Sequence, residues 1–235
     1  MERIKKIREA EAQSHIQMYR ENELFTGSTW LSKPVRTVID LLPLLDSKDN
    51  ITLLDLGCGV GRNCIPIAQR FAGKSCKIDC VDILPEAISI LSENAKKYNV
   101  ESAIEGIVCP IDDYTIHPGR YDLIITVSAL EHMDSESSFY KKLTEIRNGL
   151  KSGGLICIIM NTEVSEQSIT TEDSLEPQFE INIATQKLLD ALHNTFVSYE
   201  VIKETVCAQS YEIPRGNKTV TLKSNVVTFA ANRVE

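Results

Sequence analysis

The chain has 235 residues, with 33 Asp and Glu against 25 Lys and Arg, a formal charge of -8 and 43% hydrophobic residues. A chain of this length buries roughly 70% of its unfolded surface, so it needs neither disulfides nor metal to stabilise a core. The acidic balance argues against broad attraction to nucleic acid or anionic membrane, which depends on Lys and Arg neutralising phosphates, and no window approaches the ~18 apolar residues of a membrane helix.

Seven cysteines (58, 64, 76, 80, 109, 157 and 207) form an odd set without paired CxxC spacing, mostly inside apolar runs. They read as reduced core thiols, and with the polar start Met1-Glu2-Arg3-Ile4-Lys5-Lys6 they predict a cytoplasmic protein. Residues 1–50 read as a helical extension. It comprises a charged helix, a break at Gly27-Ser28-Thr29, and a second helix with Val35, Val38, Ile39 and Leu42 on one face.

From residue 51 the pattern alternates between short apolar runs and helical stripes, the signature of a parallel sheet covered by helices. The predicted strands are Ile51–Leu56, Lys77–Val81, Ala103–Val108, Leu123–Ser128 and Leu155–Asn161. Pro85 suits the first turn of a helix whose stripe is Ala87, Ile88, Leu91, Ala95 and Tyr98. Ser135 is placed to cap a helix carrying Phe139, Leu143, Ile146 and Leu150, with Gly153-Gly154 as its stop. Residues 163–180 are polar and contain Pro177, and Asn182 is placed to cap a helix with Leu188, Leu189, Leu192 and Phe196. Tyr199–Cys207 and Asn225–Ala231, with Pro214-Arg215-Gly216-Asn217 between them, predict a late hairpin on the otherwise parallel sheet.

The chemistry concentrates in Asp55-Leu56-Gly57-Cys58-Gly59-Val60-Gly61-Arg62-Asn63, where the first strand turns into a helix. Glycines let a ligand approach the backbone, and the first helical turn offers free N–H groups. A tight turn without a ligand is the alternative, but three glycines at alternate positions exceed what a turn requires. Asp82 closes the second strand, where a carboxylate can accept bonds from both ribose hydroxyls, or cap the helix that starts near Pro85. A nicotinamide site would want G-x-G-x-x-G, whereas this loop reads G-x-G-x-G followed by Arg62.

The Asp55-to-Gly61 run resembles the first motif of class I S-adenosylmethionine-dependent methyltransferases. Asp82, Tyr121-Asp122-Leu123-Ile124-Ile125 and Leu150-Lys151-Ser152-Gly153-Gly154-Leu155 are similar to that family's later motifs, across about residues 50–162. The stretch Leu56–Ala68 with Ala129-Leu130-Glu131-His132-Met133 looks most like the small-molecule branch that includes tellurite-resistance methyltransferases.

The resemblance implies an α/β fold in three layers. It is a Rossmann-like, seven-stranded, mostly parallel sheet with one antiparallel strand near the C-terminus and helices on both faces, forming a single domain over 1–235. Residues 1–50 would be an extension or lid, 51–162 the cofactor-binding core, and 163–235 the C-terminal strands, helix and acceptor-side insertion. It implies S-adenosyl-L-methionine as cofactor, bound by Asp55, Gly57, Cys58, Gly59, Gly61, Asn63, Asp82, Ile83 and Ser128. The family's adenine-binding Asp after the third strand falls on Pro110 here, leaving the Ile111 backbone, Asp112 or Asp113 for that role.

Glu131 and His132 are candidates for a general base, the alternative being hydrogen bonds that hold the next helix. Tyr19, Phe25, Trp30 and Arg36 are candidates for a lid, the alternative being simple packing of an N-terminal helix on the sheet edge, with Tyr19, Trp30 and Asn161 near the acceptor. His15, His117 and His193 lack metal-ligand spacing and no metal is expected.

The implied activity is methyl transfer to a small-molecule acceptor, releasing S-adenosylhomocysteine, with no nucleic-acid or membrane partner. The fourth strand ends Ser-Ala-Leu-Glu instead of Asn/Asp-Pro-Pro-aromatic, and no Pro-Cys nucleophile follows it, which argues against methylation of bases. A protein or ribosome-associated acceptor and a non-catalytic cofactor-binding module are the alternatives, while the acceptor atom and the oligomeric state stay open.

Overall fold

The computed structural model describes residues 2–171, 173–215 and 218–234. Strands β1 (Asn50–Leu56), β2 (Ser75–Asp82), β3 (Ile104–Val108), β4 (Tyr121–Val127) and β5 (Leu150–Ser168) are joined by β6 (Ser174–Leu175), β7 (Tyr199–Arg215) and β8 (Lys218–Arg233). The sheet order is β3-β2-β1-β4-β5-β8-β7, and the two-residue β6 pairs with β5. The first five strands pair in parallel, and β8 runs antiparallel to both β5 and β7. This is the α/β sheet that the sequence predicts, with β8 reversed near the C-terminus and the two-residue β6 added as a short eighth, antiparallel strand.

Alternation along the buried strands sorts side chains onto two faces. Ile51 and Leu53 join Ile78, Cys80, Leu123 and Ile125 beneath α2 (Arg36–Leu41), α3 (Cys64–Arg70) and α4 (Pro85–Lys97). Leu54 and Leu56 join Val81, Ile124 and Ile156 beneath α5 (Glu136–Gly149) and α6 (Thr185–Thr195). Ala87, Ile88, Leu91 and Ala95 of α4 and Phe139, Leu143 and Ile146 of α5 are buried as expected, while Tyr98 is half-buried past the end of α4 and Leu150 opens β5. Ser135 caps α5 by accepting from the Ser138 N–H at 3.1 Å. The strand tips line up, because Leu56 pairs with Val81 and Thr126, and Asp82 with Val108.

Four expectations are corrected. First, α5 ends at Gly149, and Gly153-Gly154 lie inside β5. A Cβ on Gly154 would meet the Lys151 carbonyl oxygen at 2.8 Å, and the β4–β5 register slips between Tyr121 and Leu123, so these glycines serve a bulge and not a helix stop. Second, Asn182 does not cap α6, whose N-cap is Ala184. Its side chain instead bonds both the N–H and the carbonyl of Val164, each at 2.8 Å.

Third, β5 runs past Asn161 to Ser168, and both hairpin strands are longer than their apolar patterns. Val164, Glu166 and Ser168 are buried at alternate positions, so the strand hides a charge, which Arg215 neutralises at 2.8 Å. A hydrophobicity pattern cannot show a strand whose buried face carries glutamate. Fourth, Cys207 is exposed on β7 and Cys109 is half-buried, while the other five cysteines are buried; all seven are free. The middle of the 214–217 turn lies outside the described residues.

Candidate functional site

The mouth lies where β1, β2 and β4 end, beside residues 159–161 in the middle of β5. Gly57, Gly59 and Gly61 take φ values of +76°, +52° and +100°, the left-handed region open to glycine. A Cβ on Gly57 would lie 2.4 Å from the Ala129 Cβ, so the residue type is also required by close approach. The Gly57 and Cys58 N–H groups both donate to the Val81 carbonyl, at 2.8 and 3.0 Å, tying the loop to β2.

Asp82 completes that tie. Its Oδ2 accepts from the Gly59 N–H at 2.8 Å and its Oδ1 from the Leu84 N–H at 2.9 Å. One carboxylate therefore holds both the glycine loop and the start of α4, and burial pushes its pKa above the ordinary value despite those bonds. Ile83, beside it, is exposed. Asp55 is fully buried, burial first and Asp82 second push its carboxyl up to about 8, and its Oδ2 has no partner. Thr126 Oγ1, at the tip of β4 beside β1, is also buried without a partner.

A ligand with cationic and hydroxyl groups fits these residues. Asp55 Oδ2 and Thr126 Oγ1 lack partners, while the three glycines let the loop fold tightly against Ala129, Tyr19 and Ile65. Cys58, its thiol raised to about 12 by burial, contributes backbone and not nucleophilicity. The Asn63 side chain turns away, accepting from the Val35 N–H at 3.0 Å, and so fixes the chain before α2. After β3, Asp112 and not Asp113 turns inward; its carboxylate faces the Asp134 N–H at 3.3 Å, next to Ile111.

On the opposite side, Ser128 adopts φ +50° and donates its N–H to the Ile159 carbonyl at 2.8 Å, bending the chain into the 3-10 turn Leu130–His132. Glu131 is fully buried. Its Oε1 accepts from the Asn161 backbone at 3.1 Å and side chain at 2.8 Å, while Oε2 has no partner. Asn161 also accepts from Ser224 Oγ at 3.0 Å, so its polar atoms hold Glu131 in place. Burial raises the Glu131 carboxyl against the opposing pull of His132 and Asn161. His132 Nδ1 lies 2.9 Å from both Glu11 and Glu180. Burial works against its charge, yet the two carboxylates win and hold its pKa well above the ordinary value.

The roof is α1 (Glu2–Glu21). Spaced by one helical turn, Glu11, His15 and Tyr19 share a face. Glu11 meets His132, His15 lies within electrostatic reach of Asp82 and His132, and the Tyr19 hydroxyl is 3.0 Å from where a Gly59 Cβ would be. Tyr19 and His15 pack on Trp30, which carries the Arg62 guanidinium 5.5 Å from its ring centre. Trp30 itself is 43% exposed. Phe25 packs on Tyr98, away from the tips, and Arg36 pairs with Asp40 on the surface.

Arg3 and Arg8 stitch the front of α1 to residues 176–180. Arg3 bonds Glu176 at 2.6 Å, and Arg8 bonds Glu180 at 3.2 Å, Asp134 at 2.8 Å and the His132 carbonyl at 3.2 Å. The sequence reading missed Glu11, His15, Arg8, Glu180 and Thr126. Only the four-residue spacing of Glu11, His15 and Tyr19 carried a local signal for any of them. His117 and His193 are exposed, and His193 pairs with Glu204. Among the described residues no helix is long and apolar enough to cross a membrane.

Residues 53–154 match the family model described as "Methyltransferase domain". Ajmaline N-methyltransferase of Rauvolfia serpentina is 28% identical over 130 residues, covering 54% of this chain and 41% of that protein. The chain thus spans less than half the length of the curated relatives it matches. Among solved structures, TehB from Haemophilus influenzae has a TM-score of 0.60 at 19% identity, covering 84% of this chain and 61% of that one. N-methyltransferase NodS from Bradyrhizobium japonicum, solved with S-adenosyl-L-homocysteine, has a TM-score of 0.52 at 15% identity, covering 85% and 86%. At these identities the solved structures show a shared fold.

Proposed function

We propose, from the premise that residues 53–154 form a methyltransferase domain of the S-adenosylmethionine-dependent kind, that this chain transfers a methyl group to a small-molecule acceptor, releasing S-adenosylhomocysteine. The observation that carries this reading is the grip of Asp82 on the glycine loop, beside a buried Asp55 oxygen without a partner. The cofactor supplies an electrophilic methyl on a sulfonium sulfur. Gly57, Cys58, Gly59 and Gly61 would form the loop beside its amino-acid end, their own N–H groups held by Val81, Asp82 and Cys58, with Asp55 and Thr126 offering their unpartnered oxygens. Asp82 takes the ribose, Ile83 packs on the adenine, and Ile111 and Asp112 border it. Asn63 anchors the chain before α2, and Ser128 shapes the opposite wall.

In-line attack on a methyl group depends above all on alignment and on excluding water. We assign both tasks to α1, which lies across the strand tips and acts as a lid, with Tyr19 at the loop and Trp30 at its outer edge. Closure of this kind favours a small acceptor, since a protein or ribosomal one would require α1 to leave. The matched curated relatives include several named N-methyltransferases. Glu11, Glu131, Glu180, Asp112 and Asp134 give this mouth an acidic wall suited to an amine. Glu131 Oε2 is the group we assign to receive the acceptor's proton, with Asn161 positioning it. His132, held between Glu11 and Glu180, orients the wall.

Incubating the protein with methyl-labelled S-adenosylmethionine and a panel of small amines tests this reading. Labelled product and S-adenosylhomocysteine should form with at least one amine and not with analogues that lack the nitrogen. Cofactor binding without turnover on any acceptor would instead favour a non-catalytic module.

A further inference from the structure

Methyl transfer leaves one cluster at the mouth without a full account. Glu11 from α1, His132 from the turn after β4 and Glu180 from the segment before α6 each bring one ligand atom, all within 4.8 Å of one another. His132 Nδ1 is 2.9 Å from Glu11 Oε2 and 2.9 Å from Glu180 Oε2. A ring nitrogen carries at most one hydrogen, aimed along one line, so it serves one carboxylate well and leaves the other beside a like charge. The Glu180 side chain is 0% exposed and that of Glu11 17%, so water screens the pair poorly. Arg8 engages Glu180 through Oε1 and turns also to Asp134, and at longer range to Asp112, which leaves the two Oε2 atoms facing His132.

We infer that Glu11, His132 and Glu180 form a binding site for one divalent transition-metal cation such as Mn2+ or Zn2+. One imidazole nitrogen and two carboxylate oxygens are a donor set for such ions, whose bonds of about 2.0–2.2 Å put ligand atoms about 3 Å apart, close to the 2.9 Å from His132 Nδ1 to each carboxylate. A divalent cation would meet both Oε2 atoms at once, whereas the single His132 proton points at one of them and Arg8 reaches Glu180 only through Oε1. Binding displaces the imidazole proton to solvent. The ligands come from three chain segments, so the ion fastens the α1 lid to the strand tips. Its remaining coordination positions go to water or to a heteroatom of the acceptor.

Mn2+ is the suitable probe, because the seven free thiols compete for softer ions. Titrating the full chain while following free Mn2+ by electron paramagnetic resonance should show one ion bound per chain at submillimolar concentration. Glu11→Gln and Glu180→Gln should each weaken binding by about tenfold or more, with circular dichroism unchanged. Absence of binding at millimolar Mn2+, or binding that survives both substitutions, would overturn the inference. Neither cofactor nor acceptor enters this readout, so its failure and that of the methyl-transfer reading are separable.

Discussion

The cofactor side of the mouth is built from neighbours in sequence, whereas the lid side is built from residues far apart. Gly59 and its partner Asp82 are separated by 23 positions, and the Gly57 and Cys58 N–H groups reach only to Val81. Across the mouth, Arg3 and Glu176 are 173 positions apart, and Arg8 and His132 are 124 apart. The first side is fixed by backbone geometry and buried hydrogen bonds. The second is held largely by charged side chains, from the exposed Arg3–Glu176 pair, which screens easily, to the more buried Arg8, Glu11, His132 and Glu180. On the reading proposed above, a cradle fixed by buried hydrogen bonds under a releasable roof would suit turnover.

The largest expected effect falls on the rigid side. Asp82→Ala removes a buried carboxylate that holds the Gly59 and Leu84 N–H groups, and should weaken cofactor binding by about tenfold to a hundredfold. Gly57→Ala, which drives a Cβ to 2.4 Å from Ala129 at φ +76°, should cost about 1–3 kcal/mol of stability by denaturant unfolding and also impair binding.

Asp55 sharpens the contrast through pH. Its pKa rises from 3.8 to about 8 on folding, so the native state holds a proton that the unfolded chain releases. Stability from this group is complete below the unfolded value and is lost as pH rises through that window. Denaturant midpoints of wild type should therefore fall between pH 5 and 8 more steeply than those of Asp55→Asn; equal slopes would remove the assignment.

On the roof, Arg8→Ala should leave the unfolding midpoint nearly unchanged, yet make residues 2–21 more accessible to limited proteolysis. Resistance equal to wild type would mean that α1 is held by its apolar face alone. Smallest of all, Arg36→Ala, which breaks an exposed pair with Asp40, should change stability by less than about 0.5 kcal/mol and leave cofactor binding intact.

This contrast also explains what the sequence reveals. Left-handed glycines, the Asp82 carboxylate and the apolar strands leave local marks, so β1 through β4 and the loop were legible. The far half of β5 was not, because alternation there hides Glu166 and Ser168 in place of apolar residues. Asn182 has the chemistry of a cap, but the β5 backbone at Val164 competes for it and wins. Asn63 and Asn161 sit where a site residue belongs, and only coordinates reveal that their side chains support Val35 and Glu131. Glu11 and Glu180 gain meaning only once α1 folds over the tips.

Calorimetric titration with S-adenosylmethionine, run in parallel on wild type and Asp82→Ala, tests the central claim most directly. A single site per chain in wild type, weakened by about tenfold or more in the variant, is the predicted result. No binding by wild type at high micromolar cofactor, or equal affinity in both proteins, would contradict it.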